Sequence, residues 1–118
     1  MAIPDVAPFS EFLGVKVLHR SAERTEAQLV VREELCNRRG ILHGGAIMAF
    51  GDLLGGMTAV RNLAAGDRTA TIESKTNFFA AVPKGGTAQR FVCCCIEAAR
   101  PSFWRPGSVV TTASSLRL

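Results

Sequence analysis

The feature that most constrains this chain is an apolar stretch from Gly44 to about Leu63 that contains one acid, Asp52. Large apolar side chains would lie on nearly every side of a helix built from this stretch, and such a helix is buried. No apolar run reaches the ~20 uncharged residues that a membrane span requires. We therefore predict one long buried helix and no membrane association.

Segments that alternate apolar and polar residues flank this helix and predict β-strands. The predicted strands are residues 14–20 and 24–32 before the helix, and 68–79, 87–98 and 108–118 after it. Residues 4–13 predict a short helix or a turn-rich lead-in, and residues 99–107 a loop. This order predicts an α+β domain over residues 1–118, with the helix packed on one face of an antiparallel sheet.

Charge and cysteine usage restrict the partners. The net charge is only +4 and the basic residues are scattered, whereas nucleic-acid binders show dense basic stripes. Cys36 stands alone and Cys93–Cys95 are consecutive, which is a poor disulfide framework and contains no C-x-x-C zinc pattern. The first residues lack the basic and apolar regions of a signal peptide. We expect reduced thiols, a cytoplasmic location, no nucleic-acid partner, no metal and no redox cofactor.

The long helix has two contrasting sides. Large residues that share one side, and suit a sheet-facing core, are Ile47, Phe50, Leu54 and Met57. Small residues that share the other side with Asp52, at spacings of three and four, are Gly45, Ala49, Gly56 and Ala59. The small side would allow a second backbone or a ligand to approach closely.

Three interpretations of Asp52 remain open from the residues alone. The carboxylate could cap a loop or pair with an arginine, since an unpaired buried charge is costly. It could be a general base or a nucleophile. It could also be exposed to solvent at a helix bend near Gly51.

The start of the helix offers amide groups without intrahelical partners. Gly44 and Gly45 leave their N–H groups unobstructed at the positive end of the helix dipole, where a carbonyl oxygen would be polarised. His43 could orient this turn or a ligand. The alternatives are a glycine pair that only permits a tight turn, and a histidine that is an ordinary hydrogen-bonded loop residue.

Helix geometry relates these two features. Gly44 and Asp52 are eight residues apart, which is roughly 12 Å along the axis. One reacting carbon cannot contact both within a single chain. Antiparallel packing of two copies about a two-fold axis would bring Gly44 of one chain towards Asp52 of the other. We therefore expect a dimer with composite sites.

The pattern Asn37-x5-His43-Gly44-Gly45-x6-Asp52 resembles the hotdog-fold acyl-coenzyme A thioesterases of the phenylacetate-degradation branch. The flanking stretches FSEFLGVKVL and TIESKTNFFAAVPKGG resemble the same family, so the likeness covers roughly residues 8–90. It implies the hotdog fold, a long central helix wrapped by an antiparallel sheet, in a homodimer or a homotetramer. After Gly86 the sequence departs from the family pattern, which leaves the last two strands without this support.

The resemblance also implies roles for single residues. Gly44, with Gly45 beside it, would polarise the thioester carbonyl, while Asp52 of the partner chain would activate water or attack the carbon. Asn37 would position the thioester or the water, and His43 would shape the turn. On the strand after the helix, Thr71, or alternatively Thr69, would orient the water. The basic residues that would contact the coenzyme A phosphates are Arg38, Arg39, Lys84 and Arg90.

The leading prediction is a thioesterase that acts on acyl- or aryl-acyl-coenzyme A. The alternatives are a non-catalytic acyl-coenzyme A binder on the same fold and a hotdog dehydratase, which would place its histidine and acid differently. A fourth is a ligand-free structural dimer, which pairing of Asp52 with Arg61 or Arg68 would favour.

Overall fold

The computed structural model describes residues 7–71, 73–95 and 111–117, with residues 94–95 and 111–117 as backbone only. The elements in chain order are α1 (Pro8–Leu13), β1 (Val15–Arg20), β2 (Arg24–Val30), a 3-10 turn (Glu33–Leu35), α2 (Gly44–Val60), β3 (Thr87–Cys95) and β4 (Thr111–Arg117). The strands form one antiparallel sheet in the order β1-β2-β3-β4. The predicted α+β architecture is confirmed.

The sheet presents one apolar face to α2. Alternate residues of β2 are buried, with Ala27 and Leu29 fully inaccessible, and so are Ala88 and Val92 of β3. The two strands pair in register, with Leu29 opposite Ala88. Since successive side chains of a strand point to opposite faces, these residues form the floor on which α2 lies.

The large side of α2 fills the space above this floor. Ile47, Phe50 and Leu54 are buried, and Met57 is half-buried, as predicted for the sheet-facing side. The Thr58 hydroxyl donates to the Thr25 hydroxyl at 2.7 Å, so the helix is also joined to β2 by a buried hydrogen bond. One face of α2 is therefore fixed by the sheet of its own chain.

The helix ends at Val60, three residues earlier than predicted. Asn62 lies in the following turn, and its side-chain amide donates to the carbonyls of Thr58 at 2.9 Å and Ala22 at 2.7 Å. These bonds tie the last turn of α2, where the Thr58 carbonyl also accepts from the Arg61 N–H at 3.2 Å, to the turn between β1 and β2. Apolar periodicity does not predict where a side-chain amide will bond to the last turn of a helix.

The predicted strand over residues 68–79 is wrong: residues 68–71 and 73–79 form no strand. This segment instead runs back along α2, with Thr71 against Asp52 and Phe78 against Gly44. An alternating pattern favours an extended chain, but a strand also needs a neighbouring backbone to pair with. β3 and β4 confirm the other two predictions within the described residues, whereas positions 96–110 and 118 lie outside them.

Within the described part of the chain, no helix combines the length and the apolarity needed to cross a membrane.

Candidate active site

The start of α2 is held by His43, which is the N-cap residue. Its Nδ1 accepts a hydrogen bond from the Gly45 N–H at 2.9 Å. A Cβ on Gly45 would lie 3.1 Å from that nitrogen, so the capping geometry favours glycine there. The Gly45 N–H predicted to face a substrate is thus already engaged by His43.

The Gly44 N–H is in a different position. It has no hydrogen-bond acceptor in the described part of the structure, and it lies at the positive end of α2. The ring of Phe78 passes over this residue, 3.4 Å from where a Cβ would lie. An available amide N–H beside an aromatic ring can donate to the oxygen of a carbonyl group whose other substituent is apolar.

Asn37 organises the loop that leads into the helix. Its Oδ1 accepts from the N–H of Arg39 at 2.9 Å and of Ile41 at 3.4 Å, and its own N–H donates to the Ile41 carbonyl at 2.8 Å. The side-chain oxygen is therefore committed to a turn. Of the two polar atoms of the Asn37 side chain, the amide nitrogen is the one left to contact a thioester or water.

Asp52 lies on the outer side of α2 and is exposed in the single chain, as one of the three open interpretations has it. The sheet is on the other side of the helix, so the described strands leave this carboxylate uncovered. The Thr71 hydroxyl donates to Asp52 Oδ1 at 2.6 Å. No ion pair among the described residues includes Asp52, which leaves the predicted pairing with Arg61 or Arg68 without support.

A pocket of about 350 Å³ opens beside Asp52. The C-terminal half of α2 forms one wall, the segment after it forms another, and α1 and the end of β1 close the far side. Its polar lining residues include Ser10, Arg20, Asp52, Thr69, Thr71 and Glu73. The volume falls in the usual range of small-ligand sites. The sequence-predicted acid and both candidate threonines therefore share one cavity.

Three of the four predicted basic residues surround one corner of the molecule. Arg38 and Arg39 lie on the exposed turn closed by Asn37, and the Lys84 N–H donates to the Gly40 carbonyl at 2.9 Å. The Lys84 ammonium already contacts Glu33 at 2.7 Å, and this hydrogen bond lowers the pKa of the Glu33 carboxyl. An anion at this corner would compete with Glu33 for Lys84.

Arg90 does not belong to this corner. It points from β3 towards α2, is 4% exposed, and donates from Nη1 to the Ile47 carbonyl at 3.0 Å. Burial lowers the pKa of its guanidinium below the usual value. The guanidinium fits because Gly51 has no side chain; a Cβ there would lie 2.6 Å from it. This placement contradicts the predicted contact with coenzyme A.

The sequence patterns missed Ser10 and Arg20, although both line the pocket with Asp52. They lie 42 and 32 residues before Asp52 (52 − 10 and 52 − 20), in other elements. Ser10 lies in the stretch FSEFLGVKVL, but no role was predicted for it or for Arg20. A serine in a short helix or an arginine ending a strand carries no functional signal by itself. Only the packing of α1 and β1 against α2 brings them to the site.

Comparison with known proteins identifies the central part of the chain. Residues 39–89 match the family described as the thioesterase superfamily. A protein from Saccharolobus solfataricus, named as a candidate esterase, is 39% identical over 75 residues, which are 64% of this chain and 53% of that protein. The match thus spans about half the length of that relative.

Solved structures share the fold. A candidate thioesterase from Ralstonia eutropha, described as related to phenylacetic acid degradation, superposes with a TM-score of 0.78 at 18% identity, covering 98% of this chain and 82% of that one. A variant of the phenylacetic acid degradation protein PaaI from Thermus thermophilus gives a TM-score of 0.75 at 21% identity, covering 94% and 86%. The hotdog arrangement of a central helix on an antiparallel sheet is confirmed.

Proposed function

Since residues 39–89 match the thioesterase superfamily, we propose that the chain hydrolyses acyl- or aryl-acyl-coenzyme A thioesters to the free acid and coenzyme A. The observation that carries the proposal is Asp52, which lies in a pocket with one oxygen held by Thr71. The second carboxylate oxygen remains for a water molecule. A fixed carboxylate beside a ligand-sized cavity is the arrangement that general-base hydrolysis requires.

The proposed reaction uses two groups. The Gly44 N–H donates to the thioester oxygen and stabilises the negative charge that develops there. The Asp52 carboxylate takes a proton from water while the water oxygen bonds to the carbonyl carbon. The carbon–sulfur bond then breaks, the thiolate of coenzyme A leaves and takes up a proton, and the acid is released. Direct attack by the carboxylate, through an anhydride that water then hydrolyses, is the variant of this scheme.

Two chains are needed to assemble this site. Gly44 and Asp52 lie on one continuous helix in this structure, so the rise of ~1.5 Å per residue separates them by roughly 12 Å. We propose that a second copy packs antiparallel against the outer side of α2. That side carries Met48, which is 42% exposed, and Gly56, which has nothing within 4 Å of a Cβ position.

The two-fold symmetry predicts the register of this packing. If Gly44 of one chain faces Asp52 of the other, the residue midway between them in sequence, Met48, lies at the axis and faces its own copy. A Met48→Cys variant should therefore cross-link between chains with a short bismaleimide. Val60→Cys, at the exposed end of the same helix, is the matched control and should not. Equal cross-linking of both variants would overturn the proposed register.

Thr71 is proposed as a positioning residue for Asp52. Its hydroxyl donates to the carboxylate, and both groups belong to the same chain. The same hydroxyl could instead face water once the partner is present, which is the role that the family resemblance implies. Thr69 lines the pocket beside it and is the alternative.

The coenzyme A phosphates are proposed to lie at the corner formed by Arg38, Arg39 and Lys84. This corner follows the turn of Asn37, which leads directly to His43 and the start of α2. A pantetheine arm from there would reach the Gly44 amide without crossing the sheet. The free thiols of Cys36 and Cys93 support a reducing compartment such as the cytoplasm.

The deciding experiment compares thioester hydrolysis by the wild type with that by Asp52→Asn. The isosteric amide keeps the shape of the side chain and removes the base. We expect kcat/KM to fall by at least 100-fold with no change in Tm or in oligomeric state. Asp67→Asn, in the exposed turn after α2, is the control and should keep wild-type activity.

Binding measurements on the same proteins cover the non-catalytic alternative. If the wild type binds non-hydrolysable thioether analogues of acyl-coenzyme A but hydrolyses no thioester in the panel, the chain is a binder and the enzymatic proposal is wrong. Retention of activity by Asp52→Asn would also contradict it.

A further inference from the structure

The far end of the pocket contains a buried hydroxyl that the proposed reaction does not use. Ser10 is 2% exposed, and its Oγ makes no hydrogen bond in the described structure. Burying a hydroxyl without a hydrogen bond is unfavourable, so such groups usually have a partner. Ser10 lines the pocket, but its Oγ as placed is closed to solvent. Rotation of this side chain towards the pocket would let a ligand atom supply the missing partner.

The backbone of Ser10 is held in place by the contacts of α1. Arg32 donates from Nη1 to the Leu13 carbonyl at 3.2 Å, and its guanidinium lies over the ring of Phe12, 5.3 Å from the centroid. Gly14 ends α1 with a φ of 73°, and its N–H donates to the carbonyls of Ser10 and Glu11. These contacts hold α1 in place at the wall of the pocket.

Arg20 supplies a positive charge to the same wall. It ends β1, lines the pocket, and donates from Nη2 to the Met57 carbonyl at 3.3 Å. Met57 is five residues beyond Asp52 on α2, which is roughly 7.5 Å along the axis. One hydrogen bond uses one of the five N–H groups of a guanidinium, so others remain for a ligand.

We propose that this pocket selects acyl groups that end in a carboxylate, bound by the Ser10 hydroxyl and the Arg20 guanidinium. The inference rests on the proposed function and specifies its substrate class. With the thioester carbon at Asp52, the far end of a short acyl chain extends along α2 towards Arg20. A carboxylate accepts hydrogen bonds only, and two donors, one of them charged, match it.

Glu73 opposes this binding and provides an internal check. It lines the same pocket, is exposed, and would repel a carboxylate. Solvent weakens this repulsion, so it reduces the selectivity without reversing it. Glu73→Gln should therefore increase the preference for a carboxylate-ended substrate by about two- to threefold.

The test compares adipyl-coenzyme A with hexanoyl-coenzyme A, which have equal chain lengths and differ in the terminal group. The readout is the ratio of their kcat/KM values, which we expect to exceed one for the wild type. Arg20→Met should lower this ratio by about tenfold, and Arg20→Lys should restore part of it. Lys16→Met removes one positive charge from the same strand outside the pocket and should leave the ratio unchanged.

Ser10→Ala separates ligand binding from a structural role. Because its hydroxyl has no partner, the substitution should not lower Tm, yet it should lower the adipyl-to-hexanoyl ratio several-fold. A fall in Tm with an unchanged ratio would assign Ser10 to stability alone and overturn its part in the proposal.

Three outcomes would reject the carboxylate assignment. Hydrolysis of both esters with a ratio near one leaves the thioesterase proposal intact but contradicts this inference. A similar gain for 6-hydroxyhexanoyl-coenzyme A would show that charge is not what is recognised. If nothing is hydrolysed, the proposed function fails, and calorimetric binding of thioether analogues of the adipyl and hexanoyl esters decides the selectivity separately; equal affinities would overturn it.

Discussion

The two sides of α2 differ in how completely a single chain satisfies them. The sheet-facing side buries Ile47, Phe50 and Leu54, and Gly51 accommodates the guanidinium of Arg90. The outer side exposes Met48 and the Asp52 carboxylate. One helix therefore has a side that its own chain buries and a side that its own chain leaves exposed.

This contrast separates stability from function. Truncation of a side chain on the sheet-facing side loses core contacts that no other molecule can replace. Removal of one from the outer side leaves the fold of one chain intact and affects what that chain binds. The predictions below test this separation, from the largest expected effect to the smallest.

The sharpest contrast is between Phe50→Ala and Met48→Ala. Phe50 is fully buried, so its truncation leaves a cavity and should lower the free energy of unfolding by about 3–5 kcal/mol at any protein concentration. Met48→Ala should act mainly by weakening association of two copies, with an effect that depends on concentration. Chemical denaturation over a hundredfold range of protein concentration distinguishes the two. A concentration-independent loss for Met48→Ala would mean that no partner covers this side.

Gly51→Ala and Gly56→Ala compare the two sides with the same chemical change. Both variants gain helix propensity equally. A Cβ at Gly51 meets the Arg90 guanidinium at 2.6 Å, while one at Gly56 meets no described atom within 4 Å. Shifting the guanidinium would break its bond to the Ile47 carbonyl inside the core. We expect Gly51→Ala to be less stable than Gly56→Ala by about 1–3 kcal/mol in urea denaturation. Equal stabilities would mean that Arg90 relocates freely.

Thr71→Val tests the hydrogen bond on the outer side. The substitution keeps the shape and removes the donor to Asp52, so kcat should fall by about tenfold with little change in KM. Thr71 is exposed, so Tm should hardly change. Thr71→Ser should recover most of the rate. If Thr71→Val raised KM alone, Thr71 would contact the substrate rather than position the base.

The smallest effect concerns the surface pair of Glu33 and Lys84. The hydrogen bond from Lys84 lowers the pKa of Glu33 in the folded chain, so the pair stabilises the fold above the unfolded pKa. That stabilisation is lost as pH falls through the folded pKa. Lys84→Met should therefore move the Glu33 titration, followed by NMR, back towards its ordinary pKa. Both side chains are exposed, so Tm should change little. An unchanged titration would mean that the contact does not persist in solution.

Much of the fold could be predicted from local patterns. Alternation placed β1, β2 and β3, and the apolar stretch placed α2 with the correct sheet-facing side. The prediction failed for residues 68–79, because alternation favours an extended backbone without providing a strand to pair with. It also placed Ala59 on the outer side, although that residue is buried.

The candidate site divides in the same way. Residues close together in sequence could be predicted, because the spacing from His43 to Asp52 defines which amide and which carboxylate one helix presents. Arg90 shows what such patterns do not predict. An alternating pattern predicts a strand, but it does not tell whether an arginine on that strand points to solvent or lies beneath a glycine of the helix.

The sequence by itself determined the helix, its two sides and the position of one acid on the outer side, because these follow from periodicities of a few residues. Only the tertiary structure decided that Thr71 holds Asp52, that Arg90 is buried at Gly51, and that Ser10 and Arg20 close the same pocket. Thr71 and Asp52 are 19 positions apart in the sequence, and Asp52 and Ser10 are 42 positions apart. Packing of whole elements sets such distances, and no local pattern encodes them.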